Sequence, residues 1–186
     1  MTALIPTAAF ASWVSDNCST GSGYDSLYVS RDTAKYYAFD ANGDGYEWGG
    51  GCWDGDGVDD TPGAPDSGGE GPDCSGFTFK SWYMKKDWSA GWRGWPRLEN
   101  VHGPYTAADF KNGTGAANVI SKTYATTKYM DAFASATHIG MIYAELSNGQ
   151  DRIIEAKGDA QGTGIWTRTY RSNTDYGGVR RANWAA

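Results

Sequence analysis

The strongest constraint on the fold of this chain is the Asn-Gly pair at 148–149, which stands between two apolar stretches. These stretches are HIGMIYAEL at 138–146 and DRIIEAK at 151–157. Such a pair predicts a β-hairpin, because Asn and Gly accept the positive φ angles of a two-residue turn. GIWTRTYR at 164–171 and GGVRRANW at 177–184 predict further strands. The C-terminal part is therefore expected to form an antiparallel meander.

The first half of the chain predicts short helices. IPTAAFASWVS at 5–15 has a proline near its first turn, and RDTAKYYAF at 31–39 is either helical or extended. The segment 75–86 suits a helix, because its aromatic residues recur at i, i+3 and i+4 and so share one face. Residues 98–136 are less regular, with a helix or irregular structure expected around AANVISKTYATT.

Helices followed by an antiparallel sheet predict an α+β fold, with the N-terminal helices packed on a central sheet. The expected organisation is a helical extension at 1–39 and one main domain at 40–186. Residues 40–73 contain ten acidic residues and eleven glycines, with no lysine or arginine. Such a segment is too polar to form a core layer. We therefore expect an acidic, glycine-rich insertion at about 51–72.

Two parts of this acidic segment resemble calcium-binding loops. DANGDG offers the oxygens of Asp40, Asn42 and Asp44, and DGDGVDD at 54–60 has a similar pattern. Alternating Asp or Asn with Gly lets several oxygens converge on a hard cation. The twelfth position of a loop that begins at Asp40 is Gly51, where an EF-hand requires glutamate. The alternatives are a structural calcium site outside the EF-hand class and a solvated acidic loop.

Charge and hydropathy exclude several classes of protein. The formal net charge is −6, whereas a nucleic-acid-binding protein would show a basic stripe. No apolar stretch reaches the 18 or more residues of a membrane span. The first residues carry no basic side chain before their apolar part, so they do not predict a signal peptide. We expect a monomer that is either a mature form or is released by another route.

The chain has three cysteines, Cys18, Cys52 and Cys74. In an oxidising compartment an odd number favours one disulfide and one free thiol. Cys18 and Cys52 lie in Gly/Ser-rich surroundings typical of loops, whereas Cys74 precedes an apolar segment. The expected bridge is therefore Cys18–Cys52. In a reducing compartment both would be free thiols.

Cys74 lies where a predicted helix begins, and this position suits a nucleophile. A reactive thiol must ionise, and the exposed amides of a helix N-terminus favour the anion. The same amides, around Ser75 and Gly76, are suited to hold the oxyanion of a tetrahedral intermediate. Gly76 also keeps the turn free of a bulky side chain.

A thiol nucleophile needs a base, and the chain has two histidines. His138 begins the clearest strand and is favoured over His102, which lies in a turn-like segment. Glu155 on the partner strand is the candidate for orienting the imidazole. A two-residue turn would pair Glu155 with Ile142, on the face of His138 but about 13 Å away. A wider loop or a bulge that shifts the register by two or four residues would bring them together; otherwise Glu155 is an exposed strand carboxylate.

Four motifs occur in an order that is specific as a set: GYEWGG at 45–50, DCSGF at 73–77, HIGMIY at 138–143 and IIEAKG at 153–158. Together they resemble the NlpC/P60 cysteine peptidases, which are cell-wall endopeptidases with a papain-like core. The resemblance covers residues 45–158 and, more loosely, the GGVRRANW tail, which is similar to tails of actinobacterial and phage members.

The resemblance implies that Cys74 is the nucleophile, His138 the base and Glu155 the third polar residue of a triad. The residues that would support the substrate or the oxyanion are Tyr46, Asp73, Ser75 and Gly76. The implied substrate is the stem peptide of bacterial peptidoglycan, cut most often between D-γ-glutamyl and a diamino acid. The implied location is extracellular or at the cell wall, and catalysis would need no cofactor.

The chain departs from the family pattern in two places. The family usually has a short link between its Trp-Gly-Gly and Asp-Cys-Ser-Gly motifs, where this chain has the acidic insertion. The third polar residue is also often His, Asn or Gln rather than Glu. Two other functions stay open: a non-catalytic wall-binding or calcium-binding module, and an amidase or acyltransferase that uses the same Cys-His pair. A phage lysin, a delivered toxin and a secreted housekeeping enzyme are all compatible with the sequence.

Overall fold

The structure, a computed structural model, describes residues 29–53, 71–84, 103–114 and 117–185. Four sequence-based expectations lie outside these residues: the helix at 5–15, Cys18, the motif at 54–60 and His102. The Cys18–Cys52 bridge therefore stays a prediction.

The fold is α+β, as the sequence predicts. Its helices are α1 (Arg31–Asp40), α2 (Cys74–Ser81) and α3 (Ala107–Asn112). Its strands are β1 (Gly51–Cys52), β2 (Gly71–Pro72), β3 (Ala117–Ile120), β4 (Ala132–Ala134), β5 (Ile139–Glu145), β6 (Asp151–Gly158), β7 (Gly162–Arg168) and β8 (Gly177–Arg181). Within the described ranges, no helix has both the length and the apolar character needed to cross a membrane.

Strands β3 to β8 form one antiparallel sheet in the order β3-β8-β4-β5-β6-β7. The expected meander is correct for β5 to β7 and wrong for β8, which inserts between β3 and β4. The helix considered for 116–127 is also wrong, because Ala117–Ile120 forms β3. The β-branched Val119 and Ile120 suit a strand, and Val119 pairs with Val179 of β8.

Residues 31–39, for which the sequence left helical and extended structure open, are helical and lie in α1. The Ser30 hydroxyl caps it by accepting from the Thr33 N–H at 3.0 Å. Ala34 and Ala38, four residues apart, are fully buried in the core cluster that also contains Cys74. The small side chains let α1 lie close to α2.

Asp131 links α1 to the sheet through ion pairs with two arginines. Its fully buried carboxylate accepts from Arg31 at 2.8 Å and from Arg180 of β8 at 2.6 Å. Two guanidinium groups therefore compensate one buried carboxylate, which removes the cost of burying it alone.

Helix α2 is the central helix of the core. All eight of its residues are buried, and it packs on β5 and β6. The helix ends at Ser81, five residues before the predicted end, and Tyr83 then has a φ of 48°. The Trp82 indole donates to the Met130 carbonyl at 2.9 Å, which fixes the C-terminal end of α2 against the start of β4.

The short strands β1 and β2 lie at the two ends of the acidic insertion. Gly51 pairs with Pro72, and Cys52 pairs with Gly71. Gly71 has a φ of 143°, and a Cβ at this position would lie 2.5 Å from the Gly45 carbonyl oxygen. This close approach therefore fixes β2 against the backbone of Gly45, directly before Asp73 and α2.

Candidate active site

Asp73 builds the turn that presents Cys74. Its Oδ1 accepts from the Gly76 N–H at 2.6 Å and from the Ser75 hydroxyl at 3.0 Å, and its Oδ2 accepts from the Gly49 N–H at 3.1 Å. Asp73 is therefore the N-cap of α2. The same carboxylate also joins the Trp-Gly-Gly loop to the start of the helix.

The capping determines which N–H groups at the N-terminus of α2 remain free to donate. The Gly76 N–H is taken by the Asp73 side chain, and the Phe77 N–H donates to the Asp73 carbonyl at 2.8 Å. The expected oxyanion role of the Gly76 amide is therefore wrong, because its hydrogen is already used. Among the described residues, the amides of Cys74 and Ser75 have no hydrogen-bond acceptor.

Asp73 and Ser75 are 7% and 5% exposed, and their side chains are hydrogen-bonded to each other. These two side chains shape the turn instead of facing a substrate. Tyr46 is half-buried and packs against the core cluster that contains Cys74.

The loop that carries Tyr46 is held by β7. The Thr163 N–H donates to the Asp44 carbonyl at 2.8 Å, and the Thr163 hydroxyl donates to the Gly45 carbonyl at 2.8 Å. Gly162 has a φ of 63°, and a Cβ there would lie 2.4 Å from the Asp44 carbonyl oxygen. The close approach of β7 therefore fixes this loop beside α2.

His138 is held by a tight turn at the start of β5. Its N–H donates to the Ser135 hydroxyl at 3.0 Å, and its carbonyl accepts from the Ser135 N–H at 2.8 Å. Its Nε2 lies 2.6 Å from Oε2 of Glu155, and Cys74 lies close enough to the imidazole to contribute to its raised pKa. Since Nε2 is occupied by Glu155, Nδ1 is the nitrogen left for the thiol. Cys74 is 8% exposed, and its Sγ lies 3.9 Å from the Thr137 carbonyl oxygen.

The register of the hairpin explains why Glu155 reaches His138. Ile142 pairs with Ile153 and Met141 with Ile154, so Glu155 lies opposite Gly140 instead of Ile142. A bulge at Tyr143 contributes one residue of this two-residue shift. The other residue comes from the loop, where the Leu146 N–H donates to the Gln150 carbonyl. The two-residue turn considered from the sequence is therefore wrong, although Asn148 and Gly149 do have positive φ angles.

Gly140 is the position that allows the close contact. A Cβ on Gly140 would lie 2.5 Å from Cγ2 of Ile153 and 3.1 Å from Cβ of Glu155. The absence of a side chain therefore lets the Glu155 carboxylate extend across β5 toward the imidazole.

Two further side chains hold the buried Glu155 carboxylate. Arg168 donates from Nε to Oε1 at 2.5 Å, and the Tyr170 hydroxyl donates to Oε2 at 2.9 Å. The Tyr170 ring stacks on Tyr176 with centroids 4.0 Å apart and meets the His138 ring edge to face. Oε1 accepts from Arg168, and Oε2 contacts both the imidazole and the Tyr170 hydroxyl. The carboxylate is therefore tightly oriented.

The electrostatics favour a charged His138–Glu155 pair. Burial opposes the charged imidazole, but hydrogen bonds and charge from Cys74 and Glu155 outweigh it and raise the pKa of His138 to about 9. Burial likewise opposes the charged form of Glu155, yet His138 and Arg168 lower its pKa overall. Burial and the neighbouring Glu155 charge raise the pKa of Tyr170, which therefore stays a neutral donor.

Arg168 and Tyr170 are not among the residues that the motifs single out. Alternation along β7 places Trp166 and Arg168 on one face of the strand. That pattern predicts a shared face, but the register places Arg168 opposite Asp151 and Glu155 opposite Gly164. The contacts of Arg168 and Tyr170 with Glu155 are shown by their hydrogen bonds.

The three residues expected to bind calcium differ in their solvent exposure. Asp40 and Asn42 are exposed, whereas Asp44 is 1% exposed. Within the part of the chain that the structure describes, no group of three or more His, Cys, Asp or Glu side chains could hold a metal ion. The calcium site stays a prediction.

Comparison of the chain with protein-family models, with curated proteins and with solved structures finds no match. The functional assignment therefore depends on the residues and geometry of the site itself.

Proposed function

We propose that the protein is a cysteine peptidase with a papain-like NlpC/P60 fold that hydrolyses peptidoglycan stem peptides. The observation that carries this proposal is that His138, which hydrogen-bonds the Glu155 carboxylate, has Cys74 among the groups that raise its pKa. A nucleophile, a base and an orienting group in hydrogen-bond contact are the general signature of nucleophilic catalysis. The order and sequence of the four motifs support the choice of family and substrate.

The first half of the reaction forms a thioester. Cys74 Sγ attacks the amide carbonyl carbon, and His138 holds the proton that the thiol gives up. The amides of Cys74 and Ser75 are placed to stabilise the oxyanion. As the intermediate collapses, the C–N bond breaks and His138 transfers its proton to the leaving amine.

The second half regenerates the enzyme. A water molecule attacks the thioester carbonyl, and His138 accepts one of its protons. The C–S bond then breaks, which releases a carboxylic acid and returns the thiol–imidazole pair. Glu155 stabilises the imidazolium in both halves. Arg168 helps to keep that carboxylate ionised, and Arg168 and Tyr170 orient it.

Digestion of purified muropeptides, followed by mass spectrometry, tests the proposal. The expected product pair shows the addition of one water across the γ-glutamyl–diamino acid bond. Cys74→Ala should abolish product formation while leaving the circular dichroism spectrum and melting temperature close to those of the wild type. Ser147→Ala, in an exposed turn of the β5–β6 loop, is the control and should retain full activity.

The same products distinguish the other functions. An amidase would release the whole stem peptide from the sugar, and an acyltransferase would join the acyl group to an added amine instead of water. A non-catalytic module would yield no product from either wild type or Cys74→Ala. Any of these three results, or product formation by Cys74→Ala, would contradict the proposed peptidase.

A further inference from the structure

A cavity of about 610 Å³ lies where the N-terminus of α1, strands β3 and β8 and residues 182–185 meet. Its volume is within the roughly 300–1,000 Å³ of small-ligand sites. The described residues that line it do not include Cys74, His138 or Glu155, so it is separate from the candidate active site. We call this cavity the β8 pocket.

Positive charge is concentrated in the β8 pocket. Four cationic side chains line it: Arg31, Lys128, Arg180 and Arg181. Two carboxylates oppose them. The buried Asp131 is shared by Arg31 and Arg180, and Asp32 accepts from the Tyr129 hydroxyl at 2.9 Å. The described residues of the pocket therefore carry an excess of positive charge, whereas the whole chain has a net charge of −6.

Three of the lining side chains have donors that no described residue accepts. Arg180 uses Nε and Nη2 for Asp131 and the Thr126 carbonyl, which leaves its Nη1. Within the described ranges, Nζ of the exposed Lys128 and the side-chain amide of the exposed Asn118 make no hydrogen bond or ion pair. Asn118 lies opposite Arg180 across β3 and β8, and Lys128 precedes β4. Donors from three segments therefore meet at one cavity.

The arrangement of these donors defines what the pocket would bind. Lysine and arginine side chains only donate, so their ligand must supply acceptors. A carboxylate is bound best by the two parallel N–H groups of one guanidinium fork, but the Nε–Nη2 fork of Arg180 already holds Asp131. Single donors from separate segments suit a phosphate, whose oxygens point in several directions, and lysine binds phosphate as a point charge.

An aromatic ring lies next to these donors. Trp184 is half-buried and lines the pocket, and Cζ of Arg31 lies 4.7 Å from its ring centroid. Such a ring provides an apolar surface for the carbon atoms that adjoin an anionic group. The pocket therefore suits an organic phosphate better than an inorganic ion.

We infer that the β8 pocket binds the phosphate group of a small organic monoester. A monoester has three strong acceptor oxygens, one for each of the donors of Lys128, Arg180 and Asn118. Asp131 holds Arg180 in position, and Trp184 contacts the carbon atoms of the ligand. The inference is independent of the proposed peptidase function, because it concerns other residues and another reaction partner.

Titration of the full chain with methyl phosphate at constant ionic strength tests the inference, with the Trp184 indole N–H followed by NMR. Trp184→Phe identifies that signal by its loss. Constant ionic strength is needed because salt screens exposed charges. Methyl phosphate should give a saturable shift. Dimethyl phosphate and acetate each offer fewer acceptor oxygens and should bind about tenfold more weakly, as expected for one lost charge-assisted contact.

Lys128→Gln should weaken methyl phosphate binding about tenfold, because it removes one charged donor. The backbone N–H of Lys128, which donates to Asp131, is unchanged by this substitution, so the fold should be preserved. Asn118→Ala should weaken binding less, since it removes a neutral donor. Lys157→Gln on β6, outside the pocket, makes the same change of charge and should bind methyl phosphate like the wild type.

Each opposite result overturns a defined part of the inference. The absence of a saturable shift with methyl phosphate would overturn the site. Equal affinity for acetate would overturn the phosphate class, and equal affinity for dimethyl phosphate would overturn the monoester. Equal weakening by Lys128→Gln and Lys157→Gln would assign the effect to net charge instead of to the pocket. Failure of muropeptide cleavage would contradict the peptidase and leave methyl phosphate binding unaffected.

Discussion

The carboxylate of Glu155 lies 2.6 Å from Nε2 of His138, although 17 positions separate the two residues. They lie on neighbouring antiparallel strands, and Glu155 is opposite Gly140. The contact exists because a bulge and a widened loop shift the register by two residues, and because Gly140 leaves space between the strands. Orientation of the imidazole therefore depends on backbone features outside the triad.

Gly140→Ala should weaken both the fold and the proposed activity. The added methyl group would lie within 2.5 Å of Ile153 and 3.1 Å of Glu155, so β6 must move away. Overpacking of this kind costs about 1–3 kcal/mol in the free energy of unfolding. We also expect kcat to fall by up to about 100-fold, the loss that a 1 Å misplacement of a catalytic group can cause. Urea denaturation and steady-state kinetics measure the two effects.

Gly177→Ala is the matched control for this substitution. The nearest atom to a Cβ on Gly177 is 3.7 Å away, which is ordinary contact. Equal effects of the two substitutions would show that glycine loss in the sheet, and not displacement of Glu155, is responsible.

The raised pKa of His138 predicts the alkaline limit of activity. With a folded-state pKa of about 9, the imidazole loses its proton as the pH rises through 9, and kcat/KM should fall there. The stabilisation linked to this proton is fully present below the unfolded pKa of about 6.5. It is lost between about 6.5 and 9, so the melting temperature should decrease across that range.

Glu155→Gln should move this limit to lower pH. Glutamine removes the negative charge that favours the imidazolium, so the pKa of His138 should decrease. A pH–rate profile and an NMR titration of the imidazole would both report the shift. An alkaline limit that stays at the wild-type pH in Glu155→Gln would show that the carboxylate does not sustain the imidazolium.

Tyr170→Phe should lower kcat with little change in KM. The substitution removes one hydrogen bond to Glu155 and leaves the ring that stacks on Tyr176. A hydrogen bond to a charged group contributes about 1.5–3 kcal/mol, so the expected loss is about tenfold or more. Tyr143→Phe, a half-buried tyrosine of β5, is the control. A loss that appears in KM alone would contradict a positioning role.

Local signals in the sequence predict the helix and strands that carry the site. The order of the strands in the sheet and the register of their pairing could be seen only in the structure. The Asn148–Gly149 signal correctly predicts a hairpin between β5 and β6. Its register could not be predicted, because no local pattern marks the extra residue at Tyr143, whose ring contacts Lys35 and Phe39 of α1. The position of β8 between β3 and β4 likewise depends on pairing between strands that are far apart in sequence, which no local pattern predicts.

The site shows the same division. Cys74, His138 and Glu155 could be selected because each is a residue type suited to one chemical task at a predicted helix or strand. The sequence does not show that Asp73 caps α2 or that Arg168 contacts Glu155. Both roles are seen in the side-chain hydrogen bonds of the structure. A capped turn also removes the Gly76 amide from the oxyanion donors, which composition alone does not reveal.

The pairing of Cys52 with Gly71 has a consequence for how this protein varies. Cys52 and Gly71 are backbone neighbours, so any segment that joins them has the same short distance to span. Deletions or replacements between positions 53 and 71 would leave the path into Asp73 unchanged. This junction is therefore a natural place to exchange the joining segment without redesigning the candidate active site.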